Sequence, residues 1–473
     1  MIRMSLPDIA DVTGGVVHDD TGVVVTGPAF VDSRVADLGG LFVAVEGERV
    51  DGHEFAGPAI RSGAAAVLAQ RPVGVPAVVV EDSVAALGKL ARHVLALLPD
   101  LQVVGITGSQ GKTSAKDLLT QVLRPVGATV ATAGSFNNEL GLPLTALNAD
   151  RDTRFLVLEM GAKAVGDLTY LCEIAPPDVA LVLNVGKAHI GEFGSQADIA
   201  RAKGELVEAL DADGVAVLNH DDPLVVAMAK RSRGRVTTYG EGDGADLRVS
   251  GLTVDDLGRP GFDLTRDGES AHVQLSLIGE HQASNATAAA AVALALGLPL
   301  DRTATALAAA TPVSKWRMEL HETADGVTVL NDAYNANPDS MKAALKALAA
   351  IGRGRHGSRT IAVLGEMREL GAASREEHDT IGRLAVRLDI SQLLVVGEEA
   401  RPIHLGASQE GSWGEESVFV ADTDQALAWL TENLTAGDVV LVKASRAVEL
   451  EKVAEAILAI RPRVAEEMKG NDR

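Results

Sequence analysis

VVGITGSQGKTSAKDLL, residues 103–119, is the stretch on which the fold turns. A short run rich in Val and Ile, the pattern of a buried strand, feeds a loop containing Gly108 and Gly111, and Lys112-Thr113 then open a helical pattern. Glycines in such a loop let backbone N–H groups close around phosphate oxygens, and a helix N-terminus favours negative charge. The strict pattern G-x-x-x-x-G-K-[ST] fails at one place, because Ile106 stands where its first glycine belongs. The physical arrangement survives. Lys112 would neutralise the β- and γ-phosphates of a nucleotide, and Thr113 offers a hydroxyl to Mg²⁺.

Around this loop the chain reads as three α/β units, residues 1–99, 100–312 and 313–473. In the first, LFVAV (41–45) and AVVVE (77–81) precede a helical pattern over 83–98. In the second, FLVLEM (155–160), VALVLNV (179–185) and VAVLN (215–219) are short, continuous apolar runs separated by helical patterns, as in parallel strands buried on both faces. Between 246 and 277 short alternating segments with Gly-rich turns predict an antiparallel meander. In the third unit VTVLND, TIAVLGE, QLLVVGE and DVVLVKAS alternate with helices such as 340–351 and 447–461.

Length and composition narrow the function classes. A chain of 473 residues with 47% hydrophobic and 23% charged residues builds several cores without disulfides. Its net charge of −22 repels polyphosphate, so nucleic acid is not an expected partner. A lone cysteine, Cys172, precludes an intrachain disulfide and suits a reducing compartment. The most apolar run, 286–298, is too short to span a bilayer and reads as a buried helix; no membrane insertion and a cytoplasmic location are expected.

Other candidates lie at the ends of the central strands. Glu159 closes FLVLEMG, where parallel strands present side chains to a ligand crevice, and His189 follows the next strand in LNVGKAHIGEFGS. Mg²⁺ keeps several waters, so one or two protein oxygens per ion suffice. On composition alone Glu159 and His189 read as structural more often than as ligands, and Lys203, in DIARAKGEL, as a solvated helix lysine.

GITGSQGKT, SFNNELGLP, EMG, NVGKAHIGEFGS, AKGEL, LIGEHQASNATAAAAVA, DAYNANPDSM and LGEMRELG occur in that order, after an N-terminal DSRVADLGGLFVAVEGERVDGHEFAGPA. Together they resemble the ATP-dependent Mur ligases of peptidoglycan synthesis, over residues 28 to 455. SFNNELGLP, DAYNANPDSM and LGEMRELG resemble the branch that adds D-alanyl-D-alanine to UDP-N-acetylmuramoyl-tripeptide. The resemblance implies a UDP-sugar-binding domain, a central ATPase domain and a Rossmann-like domain that receives the incoming amine. It implies that Thr107, Gly108, Ser109, Gln110, Gly111, Lys112 and Thr113 hold the ATP phosphates, and that Thr113, Glu159 and His189 bind two Mg²⁺ ions. Lys203 matches a lysine that reacts with CO₂ to give a carbamate near the second ion, against its composition-based reading. Asn285 matches a residue of the adenine-ribose side, Arg317 an arginine that reaches ATP, and Asp332, Asn335 and Asn337 a loop closing over the nucleotide. Asn137 and Asn138 match positions facing the UDP-sugar and phosphates, and Ser33 and Arg34 fall in the UDP-binding region. Two residues depart from the family, Ala444 in KASR and Trp316 before Arg317, both where glycine is usual.

The chemistry so implied is amide-bond formation through an acyl phosphate, with hinges near 99 and 313 and a monomer as the expected state. His378 and Asp332 are the residues considered as base for the incoming amine, and neither is assigned. The rival readings are a sister ligase adding a free amino acid, against which stands the lack of a D-N-P-R stretch, and a folate-type polyglutamylating enzyme, which should lack the DSR and DGH segments. A chain that keeps the nucleotide site without ligation is opposed by Lys112, Glu159, His189 and Lys203 together.

Overall fold

The computed structural model describes residues 1–473 apart from 35–36, 48–49, 135, 187–189, 356, 412–415 and 462–473. Three main sheets follow one another along the chain. The first runs Val16–His18, Ala77–Val79, Ala66–Ala69, Leu41–Val43, Ala29–Phe30, all parallel except the first pair. The second has nine strands, with Gln102–Thr107 between Phe155–Glu159 and Val179–Val182. Seven run parallel, the last of them Leu247–Val254, and Pro260–Arg266 and Glu269–Gln274 follow it to close the sheet as the antiparallel meander the alternating pattern predicts. The third orders Glu319–Glu322, Thr328–Asn331, Val439–Lys443, Thr360–Leu364, Gln392–Val396 and Ser417–Val420, parallel but for its first pair.

The central strands are apolar throughout because both faces are covered. Val103, Leu156 and Leu158 point into one core, while Val104, Ile106 and Val157 point into another. The first core is shared with the N-terminal sheet, whose helix Ser83–Ala96 supplies Leu87, Leu90 and Val94. On the other face the helix His281–Ala295, the buried helix expected from the Ala-rich run, packs on the helix Lys112–Leu123. Its small side chains let the two backbones approach. The C-terminal domain meets the central one at Ile278, buried in the C-terminal core, and at Gly191, whose N–H donates to Glu369 O at 3.2 Å.

Chain order places the ligand crevice. From Gln102–Thr107 the chain moves to one side for the next two strands and then to the other, so the sheet switches direction there, and loops after the strands diverge to leave an opening. No described helix is long and apolar enough to cross a membrane. Cys172 is buried, and burial pushes its thiol pKa up to about 12, so it is an unreactive core residue.

Leu181, fully buried in Val179–Val182, tests this packing. Leu181→Ala should cost about 2–5 kcal/mol through lost burial and the cavity left behind. Urea denaturation followed by circular dichroism reads this, and a loss under about 1 kcal/mol would contradict the assigned core.

Candidate active site

The phosphate loop is held open by its own neighbours. Gly111 takes φ +83, a left-handed conformation that favours glycine, and a Cβ there would overlap the Asn285 amide oxygen. Asn184 grips the loop from below: its Oδ1 accepts from Gln110 N–H at 3.0 Å and its Nδ2 donates to Gln110 O at 3.2 Å. Lys112 is the first residue of the helix, and its Nζ donates to Gly108 O at 2.7 Å. Burial lowers the Lys112 pKa, opposed by the Glu159 carboxylate and reinforced by Arg317.

Beside the loop, Thr113 Oγ1 donates to Glu159 Oε2 at 2.7 Å and Asn137 Nδ2 donates to Glu159 Oε1 at 2.8 Å. The Glu159 N–H donates to Thr132 Oγ1 at 2.9 Å, fixing the strand end from which the carboxylate projects. Glu159 is only 3% exposed. Hard oxygen donors from Thr113 and Glu159, side by side, suit Mg²⁺, which needs few protein ligands when phosphate oxygens and water complete its shell. Among the described residues no group of three or more His, Cys, Asp or Glu is placed to hold a metal ion. His189 lies outside the described residues.

Lys203 does not sit on a solvated helix face. It lies on the helix Gln196–Glu208, is 3% exposed, and has no ion-pair partner among the described residues. Its pKa is lowered well below the usual lysine value, first by burial and then by the positive Lys112. Two residues on, Glu205 accepts from Gly166 N–H at 2.7 Å and Thr169 N–H at 3.0 Å, tying this helix to the start of the helix Asp167–Ile174.

A cavity of 1380 Å³ joins these groups to the other two domains. Asp82 and Val84 line it from the N-terminal domain, and Asp332, Asn335, Asn337, Arg368, Lys443 and Arg446 from the C-terminal one. Ser109 to Thr113, Asn137, Asn138, Glu159, Lys203, Asn285 and Arg317 also border it. Arg317 stacks on the Tyr334 ring at 4.2 Å. The volume exceeds the roughly 300–1,000 Å³ of a pocket for one drug-sized ligand, so it has room for more than one substrate.

Not every expected residue reaches the cavity. Thr107 and Gly108 lie behind its wall. Ser33 and Arg34 are away from it; Arg34 is exposed and donates to both oxygens of Asp32, at 2.9 and 2.7 Å, which holds the Asp32 pKa at about 2. Asn337 caps the helix Pro338–Gly354, its Oδ1 accepting from Ser340 N–H at 2.9 Å, so it shapes the wall as a cap. Asn138, also on the cavity wall, accepts from Gly141 N–H at 3.0 Å through its Oδ1.

Asp332 and His378 are both committed elsewhere. Asp332 Oδ2 accepts from Lys443 Nζ at 2.6 Å, and its Oδ1 accepts from Met318 N–H at 3.1 Å. His378 is wholly buried, with Nε2 accepting from Met367 N–H at 2.8 Å and Nδ1 donating to Ser374 O at 2.7 Å, the tautomer these partners require. Neither is free to take a proton from substrate. Lys443 and Asn184 are the groups the sequence reading passed over. Both stand in quoted motifs, KASR and NVG, yet a strand-end Lys or Asn carries no local mark of what it will touch.

His378 carries a pH prediction. Burial lowers its folded pKa below the usual value near 6.5, so below that pH the unfolded chain binds a proton that the folded chain refuses. Stability is full above about pH 6.5 and falls with acidification. The thermal midpoint of His378→Gln should drop less than that of wild type between pH 7.5 and 5.5, and equal drops would refute the assignment.

Comparison with known proteins agrees with this geometry. Family models match residues 30–94 (Mur ligase family, catalytic domain), 106–293 (Mur ligase middle domain) and 316–446 (Mur ligase, glutamate ligase domain). The chain is 48% identical to the UDP-N-acetylmuramoyl-tripeptide–D-alanyl-D-alanine ligase of Mycobacterium tuberculosis (strain ATCC 25618 / H37Rv), across 97% of this chain and 98% of the relative. It is 33% identical to the enzyme of that name from Bacillus subtilis (strain 168), covering 97% and 99%. Among solved structures, MurF from Acinetobacter baumannii superposes with a TM-score of 0.86 at 29% identity, covering 97% of this chain and 99% of that one. The MurF ligase from Thermotoga maritima in complex with ADP gives 0.78 at 34% identity, covering 91% and 97%. With matches along its whole length and a nucleotide loop opening onto a cavity shared by three domains, the chain belongs to the Mur ligase family.

Proposed function

We propose that this chain is the ATP-dependent ligase that joins D-alanyl-D-alanine to UDP-N-acetylmuramoyl-tripeptide, giving the pentapeptide precursor of peptidoglycan. The carrying observation is the three-domain cavity with Lys112, Thr113 and Glu159 at its floor, in a chain nearly half identical to ligases of that name. A carboxylate does not condense with an amine at neutral pH, because hydroxide is a poor leaving group. The tripeptide's terminal carboxylate oxygen therefore attacks the γ-phosphorus of ATP, releasing ADP and forming an acyl phosphate. The dipeptide amine then attacks the acyl carbon, and phosphate leaves with the C–O bonding pair while the nitrogen sheds a proton.

The first step brings two anions together, so the chain must supply positive charge without water. Lys112 does so from the helix N-terminus, with Arg317 across the cavity. Bound Mg²⁺ would add Lewis-acid neutralisation at the Thr113 and Glu159 oxygens. Closure of the C-terminal wall keeps water from the acyl phosphate. Because ATP and nucleotide-linked sugars are cytoplasmic molecules, the reading carries a cytoplasmic site of action.

Lys203 fits the carbamate reading. Reaction with CO₂ needs the neutral amine, which burial and Lys112 favour, and its product replaces a buried cation with oxygen donors of the kind Mg²⁺ prefers. An unmodified ammonium 4 Å from even a unit positive charge is opposed by about 4 kcal/mol at an effective dielectric of 20.

The reading is tested by phosphate release with UDP-N-acetylmuramoyl-tripeptide and D-alanyl-D-alanine, set against folate with glutamate and against free diaminopimelate or lysine with the dipeptide-accepting precursor shortened by one residue. Activity confined to the first pair is expected; turnover confined to either other set would overturn the assignment. Lys112→Ala should lose about 10²-fold or more in kcat with its fold intact, and retention within threefold at saturating ATP would remove Lys112 from the reaction. Lys203→Ala should lose activity and regain part of it in concentrated acetate, whereas Lys203→Arg should not be rescued. Full activity of Lys203→Ala in CO₂-depleted buffer would return this lysine to a packing role.

A further inference from the structure

Between the central and C-terminal domains the chain is fastened at two points. Gln121, on the helix Lys112–Leu123, holds Thr311 by both ends of its amide: Nε2 donates to Thr311 O at 3.0 Å and Oε1 accepts from Thr311 N–H at 3.0 Å. Five residues later Trp316 is fixed to the other side. Its N–H donates to Glu319 Oε2 at 3.1 Å, its O accepts from Tyr334 N–H at 3.1 Å, and its Nε1 donates to Glu455 Oε1 at 3.2 Å. The Arg446 guanidinium stacks on its ring at 4.5 Å. Only residues 312–315 separate the two anchors.

Trp316 is also strained. Its φ is +59, and Met318, on the far side of Arg317, has φ +51. A bulky residue in the left-handed region persists only where its surroundings over-determine it, and such positions cluster at functional sites. Here the surroundings are four separate contacts, all to the C-terminal domain. Glu451 pairs with the Arg446 guanidinium.

We infer that Trp316 is a positioning residue, which makes Arg317 and Arg446 one rigid unit with the C-terminal domain and delivers both to the cavity when that domain closes. Its backbone aims Arg317 at the Tyr334 ring and the cavity beyond. Its ring gives Arg446, half-exposed on the same cavity wall, a flat surface that restricts an otherwise mobile side chain. The hinge is thereby confined to residues 312–315. This inference rests on the ligase reading, which wild-type turnover in the assay above checks separately.

The test compares Trp316→Leu, which keeps bulk and backbone strain but removes the aromatic face and the Nε1 donor, with Trp316→Phe, which keeps a face. Trp316→Leu should lower kcat/KM for ATP at least fivefold at unchanged thermal midpoint, while Trp316→Phe stays within threefold of wild type. In a double-mutant cycle, Trp316→Leu should cost less than twofold when Arg446 is already Ala, because the stack it removes is then absent. A purely structural role would lower the thermal midpoint of both variants and leave kcat/KM per folded molecule unchanged, and that outcome overturns the inference. Additive losses in the cycle overturn the link to Arg446. Should Trp316→Leu fail to fold, Glu455→Gln, which weakens only the Nε1 anchor on an exposed helix face, must still lower kcat/KM at least twofold; an unaltered value overturns the inference.

Discussion

The site depends on keeping positive charge out of water in a protein whose net charge is −22. Lys203 is buried and Lys112 partly so, close enough for the Lys112 charge to act on Lys203, and Arg317 adds a third charge that acts on Lys112. Against them stands Glu159, whose two oxygens already accept from Thr113 and Asn137. Such an arrangement is costly in a bare protein and favourable around a polyphosphate. Much of the surrounding structure serves to hold these groups despite that cost: the Asn184 clamp under the loop, the Thr132 bond that sets the Glu159 backbone, and the Glu205 tie that anchors the helix of Lys203.

The same electrostatic demand explains why three domains converge. A single sheet with its loops presents one wall, and water reaches an open wall. Here the C-terminal domain supplies a second wall whose charges are mostly neutralised in place, Lys443 by Asp332 and Arg446 by Glu451. The Lys443–Asp332 pair is nearly buried and is bonded further through Asn335 O and Met318 N–H, which is the condition for a buried pair to be tolerated, whereas the Arg446 side of the other pair is half-exposed. Arg317 instead lies over a tyrosine ring, leaving its guanidinium edge for a ligand. The short segment between Thr311 and Trp316 that joins the two domains thus leads directly into Arg317, which borders the shared cavity.

Much of this was legible along the chain. Apolar continuity of 103–106, 155–160 and 179–185 announced strands buried on both faces, and Gly111-Lys112-Thr113 at a strand-to-helix turn announced a phosphate site. These are local signals, set by the φ of glycine, the helix terminus and the need to bury Val and Leu. Lys203 was misread by composition, because a helical pattern does not say which face another domain covers; its motif resemblance pointed the other way. His378 and Asp332 could be considered for proton transfer because their partners Met367 N–H and Lys443 lie outside their own elements, across a loop and on another strand.

The sequence by itself determined the family and the reaction class, since each rests on short segments whose chemistry is complete in themselves. Tertiary structure alone decided which polar groups are spent and which are free. Asn137 is a partner of Glu159, 22 residues on, and Lys443 a partner of Asp332, 111 residues back, although in one dimension each is as plausible a ligand contact as any other. It also decided that Trp316 adopts a left-handed backbone and bears on Arg446, 130 residues away in sequence. The reason is geometric: a hydrogen bond or a stacked ring needs its partner within a few ångströms, and only the folded chain brings distant segments that close.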